Sequence, residues 1–325
     1  MAIPNAAPPR TVALIGLGSI GISFAALHLQ HTTARLAVYD PRPDLASHLA
    51  TILPVYFQGP SVDELLSSGR LRLATSIDDA CAGADLVQEQ GPEKLTFKTA
   101  TLAAVSKAAP PHAHLWSSTS GIPVSSQVAS LDESDSVRRR LLVVHPFNPP
   151  HILPLIEISP GTETAPEEVE FAKNFFESLG AGHRVVVVRK EVPGFVGNRL
   201  AFALLREAVS LVNDGVVGVD DVDAVVEASL GPRWAVQGPF KSYAMGGGTA
   251  GLGAFLKNLS GSIQTVWDSQ DATQTHILEK EKNGAPADWV DTVVKATDEA
   301  YGKPTPAAIE DRDATLRRVI QARKP

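Results

Sequence analysis

An apolar strand, Thr11 to Leu14, runs into Gly16-Leu17-Gly18-Ser19-Ile20-Gly21, and the apolar stretch Ile20 to Gln30 follows at helical length. Strand, G-x-G-x-x-G turn and buried helix in that order restrict the fold more than any other segment of the chain. Gly16 permits the tight turn, Gly18 lets a ligand approach the backbone, and Gly21 lets the helix pack closely on the strand. The first helical residues, Ser19 and Ile20, offer unpaired N–H groups and the positive end of the helix dipole, which attract a pyrophosphate. A second strand, Leu36 to Tyr39, ends at Asp40 and is stopped by Pro41-Arg42-Pro43. Asp40 falls where a carboxylate accepts from adenosine ribose hydroxyls and repels a 2′-phosphate, which favours NAD. Arg42, two residues on, is placed to pair with a 2′-phosphate and keeps NADP open.

Further strands are expected at Leu71 to Ala74, Leu86 to Gln88, His114 to Ser117, Leu141 to His145, Leu155 to Ser159 and His183 to Val188. They alternate with helical stretches around 45–52, 77–83, 95–108 and 167–179. This alternation predicts an α/β domain of Rossmann type, a doubly wound, mostly parallel sheet with helices on both faces. From Glu191 the pattern becomes helical throughout, with one long helix from Gly194 to Val212 and others at 219–230, 248–268, 289–301 and 307–322. The expected division is a nucleotide-binding domain at 1–191 and an all-helical domain at 192–325. The glycine cluster Met245 to Gly248 reads as a loop between helices, since no lysine accompanies it as in a P-loop.

A formal charge of -7 over 325 residues leaves no general cationic surface for nucleic acid or anionic lipid. The basic triplet Arg138 to Arg140 is brief and reads as a solvated strand entry. The single cysteine, Cys81, has no partner for an internal disulfide, and the nearby Asp78, Asp79 and Asp85 disfavour its thiolate. The first ten residues read as a flexible tail rather than a leader, the final Ala-Arg-Lys-Pro is no peroxisomal address, and no apolar run spans a bilayer. A cytoplasmic protein is expected.

His145 ends the apolar strand Leu141 to Val144, and open α/β sheets bind ligands at such strand ends. Glu157, in a neighbouring strand-like segment, is able to meet its ring, set the imidazole tautomer and stabilise the imidazolium formed when a hydroxyl proton is taken.

Together the glycine turn, Asp40, Gln88-Glu89-Gln90-Gly91-Pro92-Glu93 with Lys98, Ser117-Ser118-Thr119-Ser120, His145-Pro146-Phe147-Asn148-Pro149, Glu157 and Pro193-Gly194-Phe195-Val196-Gly197-Asn198-Arg199 resemble the L-3-hydroxyacyl-CoA dehydrogenase superfamily. The resemblance runs from about Val12 to about Phe240. It implies an NAD-dependent enzyme that oxidises a 3-hydroxyl without a metal, with His145 as general base, Glu157 as its partner, and Ser120 and Asn198 as donors to the reacting oxygen. Ser117 and Ser118 remain alternatives to Ser120. Glu93 and Lys98 match positions near the nicotinamide half of NAD.

Within the superfamily the chain is most similar to the branch of L-gulonate 3-dehydrogenase (lambda-crystallin) and L-carnitine dehydrogenase. In Gly231 to Phe240, Arg233 is available to clamp a substrate carboxylate, with Asn148 a second candidate contact. The stretch between Asp40 and Ser76 reads as a shortened form of the hairpin that contacts CoA in the acyl-CoA enzymes, which favours a small free 3-hydroxy acid. A 3-hydroxyacyl-CoA dehydrogenase and a non-enzymatic, crystallin-like NAD-binding protein stand as alternatives. The family resemblance also implies a homodimer through the helical domain, with Phe202, Leu204, Leu205, Val209 and Val212 facing either the partner or the core.

Overall fold

The computed structural model describes residues 8–132, 135–272, 275–279 and 285–322. Most of the expected tail, residues 1–7, and the terminal residues 323–325 lie outside the described residues. Two compact units divide the chain, Met1–Arg199 and Leu200–Pro325. This division falls inside the helix Gly197–Asn213.

Among the described residues the first unit holds one eight-stranded sheet. Its strands are β1 (Thr11–Ile15), β2 (Arg35–Tyr39), β3 (Leu71–Leu73), β4 (Leu86–Glu89), β5 (His114–Ser117), β6 (Leu141–Pro146), β7 (Leu155–Pro160) and β8 (Arg184–Val187). Their order is β3-β2-β1-β4-β5-β6-β7-β8. Neighbours run parallel except β6 and β7, which pair antiparallel. The order reverses at β1, between β2 and β4, and the glycine turn follows β1 at that switch point, where doubly wound sheets take their ligands. The doubly wound expectation holds.

Period-two alternation divides the core between the two faces of the sheet. Val12, Leu14, Leu36, Leu142, Val144, Ile156 and Ile158 pack on one side, and Ala13, Ile15, Val87, Leu115, Leu141 and Val143 on the other. Full burial of each large side chain contributes about 1.5–3 kcal/mol, so both faces need their helical cover. The helix Ser19–His31 is buried almost all round, from Gly21 to Leu29.

Several segments depart from the sequence reading. After the helix expected around 45–52, which runs Leu45–Tyr56, a second, unexpected one follows at Val62–Ser67. A capping box of Ser61 with Glu64 starts the second. Arg138 to Arg140, expected as a solvated strand entry, belong to the short helix Val137–Arg140. Arg140 is buried and donates to the carbonyls of Pro110 and Ala113, while Arg138 pairs with Glu163. The long helix begins at Gly197 rather than Gly194, because Gly194 and Phe195 both take left-handed backbone.

Among its described residues the second unit is mainly helical, with a two-stranded antiparallel ribbon, Leu278–Glu279 with Ala285–Pro286. The helix Val219–Val225 passes through a π turn, Val226–Leu230, into Gly231–Val236, and Pro239–Gly246 follows. Then come Gly251–Ala272, Asp288–Tyr301 and Pro306–Ala322. Among the described residues no helix is long and apolar enough to cross a membrane.

Candidate active site

Antiparallel pairing sets His145 directly opposite Glu157 across β6 and β7. Residues paired in this way present their side chains on the same face. His145 Nδ1 lies 2.9 Å from Glu157 Oε2, with the two residues only 3% and 1% exposed. The carboxylate is an acceptor, so Nδ1 carries a hydrogen, and in the neutral imidazole Nε2 then keeps a lone pair. The other carboxylate oxygen, Oε1, accepts from the N–H groups of Val196 and Gly197, each at 3.0 Å. Burial pushes the Glu157 carboxyl up, but the hydrogen bonds from His145 and Gly197, the attraction of the imidazolium when His145 is protonated and the Val196 bond outweigh it and hold the group below its usual range.

The segment Pro193 to Asn198 is shaped to deliver those two N–H groups. Left-handed backbone at Gly194 and Phe195 (φ 76° and 50°) turns the chain. Gly197 sits against the Phe147 ring, where an added Cβ would come within 2.3 Å of a ring carbon. Asn198 follows, and its Nδ2 donates to the Ser120 carbonyl at 2.7 Å and lies 3.5 Å from His145 Nε2. Phe147 and Phe195 pack on the imidazole at ring-centroid distances of 5.3 and 5.4 Å.

The serine-rich segment after β5 separates into anchors and one exposed residue. Ser117 donates to Glu89 and Ser118 accepts from Gln88 Nε2, both buried. Thr119 Oγ1 donates to Glu93 Oε1 at 2.5 Å, which also accepts from Gly121 N at 3.0 Å. Ser120 alone in this run is exposed, and its hydroxyl has no hydrogen bond among the described residues. This arrangement leaves Ser120, rather than Ser117 or Ser118, free to meet a ligand.

At the glycine turn, Gly16 takes a φ of 95° and packs against Gln90 and Gly91 beyond β4, so an added Cβ would meet Gly91 N at 2.9 Å. A Cβ on Gly21 would lie 2.0 Å from Gly16 O, whereas one on Gly18 meets nothing within 4 Å. Gly18 caps the helix without any side-chain hydrogen bond, so the opening N–H groups at Ser19 and Ile20 are left for an anion. Asp40 accepts from Leu17 N at 2.7 Å and Arg42 N at 3.1 Å, one bond to each oxygen, which leaves lone pairs for ribose hydroxyls. Arg42 is itself held between Asp40 and Asp44. These residues fit NAD.

Lys98 and Glu93 occupy different environments. Lys98 is fully buried and donates to both oxygens of Glu89, at 3.1 and 2.8 Å, and to Gly91 O at 3.3 Å. Glu93, 44% exposed, lies 4.0 Å from the same ammonium. The sequence reading assigned no role to Glu89 or Thr119; the available signal was a polar pair, Gln88-Glu89, ending a buried central strand. Asn148 is exposed just beyond β6. Arg233 is exposed on the helix Gly231–Val236 of the second unit.

A chain that seats a dinucleotide against an open glycine turn and carries a histidine on the same sheet is built as an NAD-dependent oxidoreductase acting on CH–OH groups. Residues 11–192 match the NAD binding domain of 3-hydroxyacyl-CoA dehydrogenase and residues 194–298 match the C-terminal domain of that enzyme, and the chain belongs to this family. An L-carnitine dehydrogenase of Pseudomonas putida is 36% identical over 320 residues, covering 97% of this chain and 94% of the relative. A 3-hydroxyacyl-CoA dehydrogenase of Gibberella moniliformis is 35% identical over 324 residues, covering 97% and 95%. Among solved structures, 5-formyl-3-hydroxy-2-methylpyridine 4-carboxylic acid 5-dehydrogenase, described as an NAD-dependent dismutase, superposes with a TM-score of 0.72. It is 29% identical and 97% of each chain is covered.

Proposed function

We propose that the protein oxidises the 3-hydroxyl of a small, free 3-hydroxy acid of the carnitine or gulonate kind to the 3-keto acid. The observation that carries this reading is the buried His145–Glu157 pair, whose Nε2 lies beside Asn198. Bound NAD supplies the hydride acceptor. His145 Nε2 takes the hydroxyl proton, and Glu157 stabilises the resulting imidazolium through Nδ1. Ser120 Oγ and the second hydrogen of Asn198 Nδ2 donate to the reacting oxygen as its charge changes. The Phe147 and Phe195 rings exclude water from the far side of the imidazole. Gly16, Gly18, Ser19, Ile20, Gly21 and Asp40 hold the adenosine and pyrophosphate half of NAD, and Glu93 its nicotinamide half.

A free carboxylate as substrate handle is supported by two similarities, to L-carnitine dehydrogenases and to an enzyme acting on a pyridine carboxylic acid. Arg233 is the residue assigned to that carboxylate, and Asn148 a polar contact beside the base. The same reading makes the protein a cytoplasmic homodimer joined through its helical unit. Phe202 and Leu205 are exposed there, beside Ile277 and Trp289; Val209 is buried, and Leu204 and Val212 partly so.

The test is NADH production with carnitine, gulonate and 3-hydroxybutyrate, beside acetoacetyl-CoA reduction, with His145→Ala as control. Turnover of a free acid that falls by about 10²–10⁴-fold in the variant is expected. Saturation by acetoacetyl-CoA alone would assign the acyl-CoA reaction instead, and activity surviving the substitution would overturn the mechanism.

A further inference from the structure

The Glu89–Lys98 pair does work that neither stability nor direct cofactor contact accounts for. Both side chains are buried, at 2% and 0% exposure. A buried ion pair gives little net stability, because desolvation offsets the attraction, and an apolar pair of similar volume does as well or better. Lys98 reaches no solvent, and its three hydrogens are spent on Glu89 and Gly91 O.

What the pair does is tie together three backbone segments that border the cofactor. Glu89 Oε1 accepts from Gly91 N at 2.5 Å and Lys98 donates to Gly91 O, so both polar groups of Gly91 are held by the pair. Gly91 and Gln90 are the residues against which Gly16 packs, so this loop sets the depth of the glycine turn. Glu89 Oε2 accepts from Ser117 Oγ at 3.3 Å, at the end of β5. The ammonium lies 4.0 Å from Glu93, which in turn holds Thr119 and Gly121 on either side of Ser120. Ser120 carries the carbonyl that binds Asn198.

We infer that Glu89 and Lys98 are positioning residues that fix the glycine turn and the Ser120 loop relative to each other, so that the cofactor seat and the oxygen donors are set by one buried charge pair. Lys98 acts from behind the loop, whereas Glu93 is exposed. The part concerning Ser120 rests on the mechanism proposed above; the part concerning the glycine turn rests on NAD binding alone. The experiment is therefore read with NADH and without any hydroxy acid.

Three full-length variants are compared for NADH dissociation constant, by fluorescence titration, and for Tm without nucleotide. Lys98→Met leaves a buried carboxylate unpaired and should lower Tm and weaken NADH binding by about tenfold or more. In the double variant Glu89→Gln with Lys98→Met both charges are gone, so Tm should return towards that of the parent while NADH binding stays weak. Glu89→Asp keeps both charges but withdraws the carboxylate, and should weaken NADH binding with little change in Tm; it decides the matter if the other variants do not fold. A double variant, or a folded Glu89→Asp, that binds NADH within twofold of the parent would overturn the proposal and leave the pair a filler of the core.

Discussion

Glu157 accepts three hydrogen bonds on two oxygens, from His145, Val196 and Gly197, so its charge and its orientation are fixed from both sides. Glu157→Gln keeps the shape but exchanges one acceptor for a donor, which must face either the imidazole or the two N–H groups. A fall in kcat on the order of 10²–10⁴-fold is expected, with NADH affinity within twofold of the parent; equal turnover would mean that His145 works without its partner. Asn198→Ala frees the Ser120 carbonyl and removes the amide beside Nε2. Steady-state kinetics should show a lower kcat, and an increase confined to KM would move Asn198 from the oxygen to substrate binding. Cys81 takes no part in this chemistry, since burial, with Asp78 nearby, pushes its thiol up to about 12.

At the scale of elements, the glycines of the turn divide into two kinds. Gly21 has the Gly16 carbonyl where a side chain would go, so Gly21→Ala should lower Tm and NADH affinity together. Gly18→Ala meets nothing in the protein and should leave Tm unchanged while weakening NADH, because the methyl group enters the space where a pyrophosphate would approach. Thermal melts with and without NADH distinguish them, and equal Tm losses would refute the division. The strands and the glycine turn were legible because period-two patterns and glycine spacing are local signals. The short helix Ile77–Cys81 was also legible, but Val62–Ser67 and Val137–Arg140 were not. Val62–Ser67 had its Ser61/Glu64 capping signal in plain view, but Val137–Arg140 owes its buried arginine to the carbonyls of Pro110 and Ala113, about thirty residues away along the chain.

The whole molecule should lose stability in mild acid. Burial pushes His28 from 6.5 down to about 4, against its bond to Gln88 and with Arg70 opposing protonation in the same sense as burial; burial likewise pushes His183 down to about 4. Each binds a proton more readily unfolded than folded, so stability present above pH 6.5 is lost as the pH falls towards 4. For the fully buried His28 this amounts to roughly 3 kcal/mol. Urea unfolding at pH 7.5 and 5 should show the loss, and His28→Leu should reduce it; an unchanged slope would exclude His28. Light scattering is expected to give a dimer that Phe202→Asp with Leu205→Asp dissociates, and a monomeric parent would refute the homodimer. The candidate site was readable as a set of motifs, since His145, Glu157, Ser120 and Asn198 each sit in a recognisable run. Its supports were not: Glu89, Glu93, Lys98 and Thr119 also sit in recognisable runs, but nothing in those runs says that Lys98 pairs with Glu89 or Thr119 with Glu93.

The connection between β6 and β7 places Phe147 against the imidazole, exposes Asn148 and ties His151 to Ser23 of the glycine-led helix. The ladder that sets His145 opposite Glu157 is made by backbone groups and is indifferent to the side chains of that connection. Selection acting on this short connection alone can therefore alter the surroundings of His145 in a descendant protein, while the His145–Glu157 pair is inherited intact.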